Sequence, residues 1–280
     1  MRLTEDALIA RIGASRPTPG LVLGIGDDCA IYRPRHREDL LFTTDLFTEN
    51  VHFRRRNHDA SSLGRRALAR SLSDIAAMGG TPRFCLVSLA LPPWADEKWL
   101  LGFYRGLKGL AARTGTAVAG GDLSHAPQFV CDIMICGSVR TGKALRRDGA
   151  KPGDAIYVSG PLGGWRHRRE ILPQLDLGRR LIGKATACMD LSDGLSTDLN
   201  RLVRASGVSA QLDRGLPVLD GATLDQALHD GEDYELLYTA PPRATLRGHR
   251  IGTVVPAARG TRVTFMGLAL KPGGYDHFQR

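Results

Sequence analysis

"SSLGRRALARSLSDIAAMGGTPRFCLVSLAL", Ser61 to Leu91, carries the pattern that decides the fold. Apolar residues recur at Leu63, Ala67, Leu68, Leu72, Ile75 and Ala76, the spacing of one helical face, with Ser61 or Ser62 available as a cap. Gly79-Gly80-Thr81-Pro82 stops that helix, and "RFCLVSLAL" (83–91) then reads as a strand. A helix feeding directly into a strand is a building block of mixed α/β structure.

Working outward, "DLLFTTD" (39–45) reads as a strand with a polar end, "ADEKWLLGFYRGLKGLAARTG" (95–115) as a helix stopped by Gly115, "TAVAGGD" (116–122) as a buried strand ending in a turn, and "QFVCDIMICGSV" (128–139) as another strand. "TGKALRRDGAKPGD" (141–154) is rich in Gly, Lys and Arg and marks a boundary. Beyond it "AIYVSG", "ACMDLSDG", "VSAQLD", "YELLYTA" and "RVTFMG" read as strands, with helices after Ser196 and over Thr223 to Leu228. The irregular alternation predicts an α+β (mixed α/β) chain of two domains, 1–146 and 147–280.

A hydrophobic share of 42% against 24% charged residues over 280 positions suits a folded core rather than disorder. The net charge of +9 makes anions welcome. Its short runs, "RRR" at 54–56 and "RHRR" at 166–169, lack interleaved aromatics, so they are predicted to be solvated surface, with neither nucleic acid nor membrane as partner. Cys29, Cys85, Cys131, Cys136 and Cys188 are odd in number and sit mostly in apolar runs, which predicts buried thiols in a reducing compartment. Glu5 and Asp6 interrupt the stretch a secretory leader would need, and no run approaches the roughly 20 apolar residues of a membrane span. The expected location is cytoplasmic.

Five apolar segments end in aspartates. In "LGIGDDCAIY" (23–32) two adjacent carboxylates, Asp27 and Asp28, lack a neighbouring cation; Asp28 is expected at a metal–phosphate cluster and Asp27 in the turn. Asp45 follows Thr43 and Thr44, where two hydroxyls and a carboxylate could all point at one hard cation or could cap a turn. Asp74 lies near a helix C-terminus, where a carboxylate is disfavoured by about 0.3–1 kcal/mol, with Arg70 available for an ion pair. Asp122 follows two glycines that suit either a turn or close backbone approach to a ligand, and Asp190 and Asp193 straddle a strand–helix junction. Oxygen donors without a His/Cys set point to Mg²⁺, in more than one copy, with phosphates as the remaining ligands. "GRRLIGKA" (178–185) imitates a phosphate loop but puts Ala185 where the metal-binding hydroxyl belongs, and no convincing strand precedes it.

In chain order "GIGDDCA", "TTDLFTENVHF", "LARSLSDIAAMGGTP", "GGD", "KALRRDGAKPGD", "MDLSDGLSTDL", "DGEDYELLYT" and "GGYDHF" resemble the thiamine-monophosphate kinase family, of the aminoimidazole ribonucleotide synthetase superfamily. The resemblance implies ATP-dependent phosphorylation of thiamine monophosphate to thiamine diphosphate, the last step of that cofactor's biosynthesis, in a homodimer whose N-terminal sheets pair. It also implies roles. Asp28, Thr43, Thr44, Asp45, Asp74, Asp122, Asp190 and Asp193 would be magnesium ligands; Tyr104, Gly121, Asp122, Arg147 and Ser192 would face ATP; His52, Glu232 and Tyr275 would hold the thiamine moiety. No general base is implied; Asp45 and Asp193 would act through the metal. Two departures stand out: the 161–187 segment is short and basic, and Asp230 stands where family members often have glycine.

Overall fold

The computed structural model describes residues 18–23, 31–164, 170–260 and 262–277. Two short strands, β1 (Leu21–Leu23) and β2 (Ile31–Tyr32), pair antiparallel. β3 (Glu38–Thr48) is longer than expected, so Asp45 lies inside a strand and not at its end. Helix α1 (Ala60–Ala77) starts at Asp59, whose Oδ1 accepts the Ser62 N–H at 2.9 Å; the cap is therefore Asp59 and neither expected serine. The Ser62 amide holds the Asp59 carboxyl below its usual range.

β4 (Thr81–Leu91) follows, then helix α2 (Glu97–Thr114), capped by Asp96, which accepts the Trp99 N–H at 2.8 Å, and closed by Gly115 at φ 71°. β5 (Ala117–His125) and β6 (Val130–Arg140) complete a four-stranded sheet of order β3-β6-β4-β5. Asp122 is thus in mid-strand, not in a turn. Gly121 serves the sheet itself, since a Cβ there would stand 1.9 Å from the Val87 carbonyl oxygen of β4. One sheet face packs on α1 and α2 over Phe47, Phe53, Phe103 and Phe129, with ring centroids 4.9–5.8 Å apart.

In the second half, β7 (Ala155–Val158), helix α3 (Leu175–Leu181), β8 (Ala187–Asp190), helix α4 (Leu195–Ser206) and β9 (Ser209–Leu212) are followed by helix α5 (Leu224–His229), β10 (Leu236–Ala240), β11 (His249–Val255), β12 (Val263–Phe265) and β13 (Leu268–Ala269). They form a seven-stranded sheet of order β13-β12-β9-β11-β7-β10-β8, in which only β9 and β12 run parallel. Leu195, Leu199, Leu202 and Val203 of α4 and Ala227 of α5 are buried with Ile156, Val158, Met189 and Leu237 of the sheet. Gly178 of the imitation phosphate loop lies within α3, where a Cβ would meet the Ala76 carbonyl oxygen at 2.0 Å; a strand–loop–helix cradle is excluded there.

The chain divides into two compact units, Met1–Ile75 with Thr81–Thr141, and Ala76–Gly80 with Gly142–Arg280. This division falls a few residues before the 146/147 boundary read from sequence, because the Leu145 N–H bonds to the Met78 carbonyl and the Cys188 N–H to the Arg146 carbonyl. Among the described residues no helix is long and apolar enough to cross a membrane. The four described cysteines, Cys85, Cys131, Cys136 and Cys188, are free and buried, and burial raises all four thiol pKa values; Cys29 lies outside the described residues.

Helices α1 and α2 cross through two glycines. A Cβ on Gly64 would sit 1.9 Å from the Phe103 carbonyl oxygen, and one on Gly106 would sit 1.8 Å from that of Ser61. Gly109, three residues along α2, has open space around its Cβ position. In urea denaturation Gly106→Ala is therefore expected to lose about 1–3 kcal/mol through overpacking, whereas Gly109→Ala gains about 0.5–1 kcal/mol by helix propensity.

Candidate active site

In the second unit β8 delivers Asp190, buried, into the turn Leu191–Gly194 that opens α4. Asp198, in the first turn of α4 and wholly buried, accepts the backbone N–H groups of Ser192 and Asp193 on Oδ2 at 3.0 and 2.9 Å. Arg201 then bridges Asp198, at 2.8 Å, and Asp193. Burial pushes the Asp198 carboxyl up to about 6, although the Asp193 amide and Arg201 oppose the shift. Gly194 is required at φ 103°, since a Cβ there would stand 2.6 Å from the His229 carbonyl oxygen.

The segment after α5 runs beside this turn. The Glu232 N–H donates to the Ser192 carbonyl at 2.7 Å and the Tyr234 N–H to that of Leu191 at 2.8 Å. Glu232 and Tyr234 both have positive φ, 66° and 51°, unfavourable conformations for residues with side chains and of a kind that clusters at ligand sites. The neighbouring carboxylates serve the frame: Asp233 accepts the Gly164 N–H at 3.0 Å, and Glu235 accepts the Ser159 hydroxyl. Asp230 has φ −71°, so its position makes no demand for glycine. The C-terminal segment closes the group, with the Tyr275 N–H bonded to the Asp193 carbonyl at 2.9 Å and the half-exposed Tyr275 ring edge-on to His277. Asp190, Ser192, Asp193, Glu232 and Tyr275, all expected site residues, are thereby gathered in one unit. Arg147, of the same unit, has an exposed side chain, and its carbonyl accepts the Ser206 hydroxyl at 2.9 Å.

In the first unit the pleat of β3 separates residues that the sequence placed together. Thr43 and Asp45 point toward α1, where the Thr43 hydroxyl donates to Asp74 and Arg70 and Ser71 face Asp45. Thr44 points to the opposite sheet face and donates to Asp132 Oδ1 at 2.5 Å. The expectation that both hydroxyls and the Asp45 carboxylate aim at one cation fails because strand side chains alternate with period two. In register, Asp132 lies opposite Ser88 and Ser88 opposite Asp122, so Thr44, Asp132 and Asp122 share the face away from α1. Asp132 was missed in the sequence; its signal is a lone carboxylate interrupting "FVCDIMIC". His52 stacks on Phe47 at 5.8 Å and accepts the Thr48 N–H on Nδ1 at 3.0 Å, which leaves the neutral ring's proton on Nε2. Tyr104 is 5% exposed beside Cys131 and Cys85, and burial raises its pKa, which keeps it a neutral phenol. Asp27 and Asp28 lie outside the described residues.

Magnesium fits the donors present. They are hydroxyl and carboxylate oxygens, the set a hard cation takes. Asp45 Oδ2 is buried and has no hydrogen-bond partner among the described residues, and burial raises the Asp45 carboxyl pKa more than Arg70 lowers it. Among the described residues no three His, Cys, Asp or Glu side chains converge as a ready-made cage.

The Asp198 shift has a definite sign. Its carboxyl releases a proton near 6 in the folded chain and near 4 when unfolded, so its contribution favours folding below about pH 4 and is lost as pH rises through about 6. Urea denaturation across pH 4–7.5 is expected to give a wild-type stability that falls relative to Asp198→Asn over that interval and then levels.

Residues 26–139 match the family model "AIR synthase related protein, N-terminal domain". The chain is 38% identical over 251 residues to the thiamine-monophosphate kinase of Salmonella typhimurium strain LT2, covering 78% of this chain and 76% of that protein. Its fold superposes on the crystal structure of the thiamine-monophosphate kinase of Stenotrophomonas maltophilia K279a with a TM-score of 0.80 at 33% identity, over 94% of this chain and 96% of that one. It superposes on AaThiL complexed with AMPPCP and TMP with a TM-score of 0.79 at 30% identity, over 88% and 89% of the two chains. With its motifs in order, its mixed two-unit fold and relatives above 30% identity along most of its length, the chain belongs to the thiamine-monophosphate kinase family.

Proposed function

We propose that the chain transfers the terminal phosphoryl group of ATP to thiamine monophosphate, yielding thiamine diphosphate and ADP. The observation that carries this reading is the convergence on the Asp190–Asp193 turn of Glu232, in a strained backbone conformation, and of Tyr275. A carboxylate and an aromatic ring suit the cationic thiazolium, the ring adding about 0.5–2 kcal/mol. An oxygen of the substrate phosphate, whose second pKa is about 6, attacks the terminal phosphorus; its bond forms as the bridging bond to ADP breaks. The nucleophile is already ionised at neutral pH, so no side chain has to remove a proton.

Asp28, Thr43, Thr44, Asp45, Asp74, Asp122, Asp190 and Asp193 are assigned to magnesium at more than one ion, with Thr43, Asp45 and Asp74 on one face of the first sheet and Thr44 and Asp122 on the other; when bound the metal would neutralise phosphate oxygens and let two polyanions approach. Gly121, Asp122, Tyr104, Arg147 and Ser192 are assigned to ATP, with Arg147 adding a fixed positive charge. His52 in the first unit, and Glu232 and Tyr275 in the second, are assigned to the thiamine moiety of the substrate. Free buried thiols in the described part of the chain suit a reducing cytoplasm.

A homodimer is part of the reading. On the β3 face away from α1, Phe42 and Leu46 are 64% and 59% exposed, flanking Thr44, an apolar row of the kind that marks an interaction surface. Phe42→Glu is expected to convert a dimer to a monomer in sedimentation velocity; an unchanged dimer would remove this face from the interface.

The deciding assay follows ADP and thiamine diphosphate from ATP, magnesium and thiamine monophosphate, with thiamine and no-substrate controls. Both products should appear together in wild type. In Asp45→Asn and Asp193→Asn turnover should fall by at least about 10³-fold with the urea midpoint retained. Full activity in both variants would sink the metal assignment, and no product in wild type would sink the kinase reading.

A further inference from the structure

The C-terminal segment is laced to the active-site turn by three consecutive backbone donors. Gly273 N–H bonds to Ser196 Oγ at 3.2 Å, Gly274 N–H to Thr197 Oγ1 at 3.0 Å, and Tyr275 N–H to the Asp193 carbonyl at 2.9 Å. The contact leaves no room for side chains. A Cβ on Gly273 would stand 2.8 Å from His229 Nδ1, and one on Gly274 would stand 1.9 Å from the Asp193 carbonyl oxygen.

Ser196 is wholly buried, and its Oγ lies 2.8 Å from His229 Nδ1. Oγ accepts from Gly273 and keeps its own proton and a second lone pair, so it can donate to Nδ1 or accept from it according to the ring tautomer, and either way the two side chains are joined. The other ring nitrogen, Nε2, lies 3.9 Å from Asp225 Oδ1 one helical turn back. Serine, histidine and aspartate here imitate a hydrolytic triad, but with the ring reversed and the serine inaccessible, so nucleophilic catalysis is ruled out.

We infer that the Ser196–His229 pair is a clasp that fixes segment 273–275 against the Asp193 turn, which makes His229 a positioning residue for substrate binding. The clasp joins three pieces of chain at one point: α4 with Asp193 before it, α5 with Glu232 after it, and the strap that ends in Tyr275. Its first role, order in the strap, is a property of the chain alone. Its second, a tighter hold on the thiamine side, rests on the kinase reading.

Two readouts separate these roles. Amide hydrogen exchange at 273–275 should quicken by about three- to tenfold in His229→Ala and return toward wild type in His229→Asn, whose side-chain amide can again bond Ser196 Oγ as acceptor or donor. By calorimetry the dissociation constant for thiamine monophosphate should rise by a similar factor in His229→Ala, while that for a non-hydrolysable ATP analogue with magnesium stays within about twofold. Unchanged exchange overturns the clasp. Faster exchange with unchanged thiamine monophosphate binding, or equal losses for both ligands, overturns the positioning role. Wild type that fails to bind thiamine monophosphate while the exchange difference persists supports the clasp and overturns the kinase reading.

Discussion

The buried carboxylate of Asp198 is the constraint on which the Ser192–Asp193 turn depends. By accepting two successive backbone N–H groups it sets the path of Ser192 and Asp193, and through Arg201 it also fixes the Asp193 side chain. The cost of placing this carboxyl where water cannot reach it is visible in its raised pKa. Such an arrangement makes sense where geometry matters more than stability, because a floppy turn would deliver Asp193 and Glu232 imprecisely.

The same trade recurs nearby. Glu232 and Tyr234 adopt left-handed backbone conformations that cost roughly 1–3 kcal/mol each, and the turn opposite over-determines them through hydrogen bonds to Ser192 and Leu191. Asp233 and Glu235 spend their lone pairs on the Ser159–Gly164 segment. Of the three acidic side chains in "GEDYEL", Asp233 and Glu235 build the frame, and Glu232 is the one assigned to ligand.

In the first unit the organising feature is a sheet with two differently employed faces. Toward α1 the aromatic core and the Thr43–Asp74 and Asp45–Arg70 contacts share one layer, so an incompletely satisfied carboxylate sits close to a dense apolar core. On the other face Thr44, Asp132 and Asp122 lie among exposed apolar residues of β3. Polar groups on both faces of one strand follow from three consecutive polar residues in a structure of period two.

Local patterns made much of the fold legible. The 3.6-residue spacing at 63–76, the glycine stops at 79 and 115, and the apolar runs at 83–91 and 155–158 act over a few residues, so they specified helices and strands before any partner was known. The site motifs were legible as residue types for the same reason: oxygen donors, glycines and an aromatic name a chemistry wherever they fold. Strand β11 loses its alternation where Ile251 and Gly252 are both buried, the glycine packing on β9, and α3 is too short for its period to register. Which way Thr43 and Thr44 point, that Asp59 and not a serine caps α1, that Asp132 joins Thr44, that Asp198 holds the Ser192 and Asp193 amides and that Ser196 meets His229 were decided only by the tertiary structure. Each depends on the phase of a pleat or on a residue brought from far along the chain, and neither is encoded in any local window of sequence.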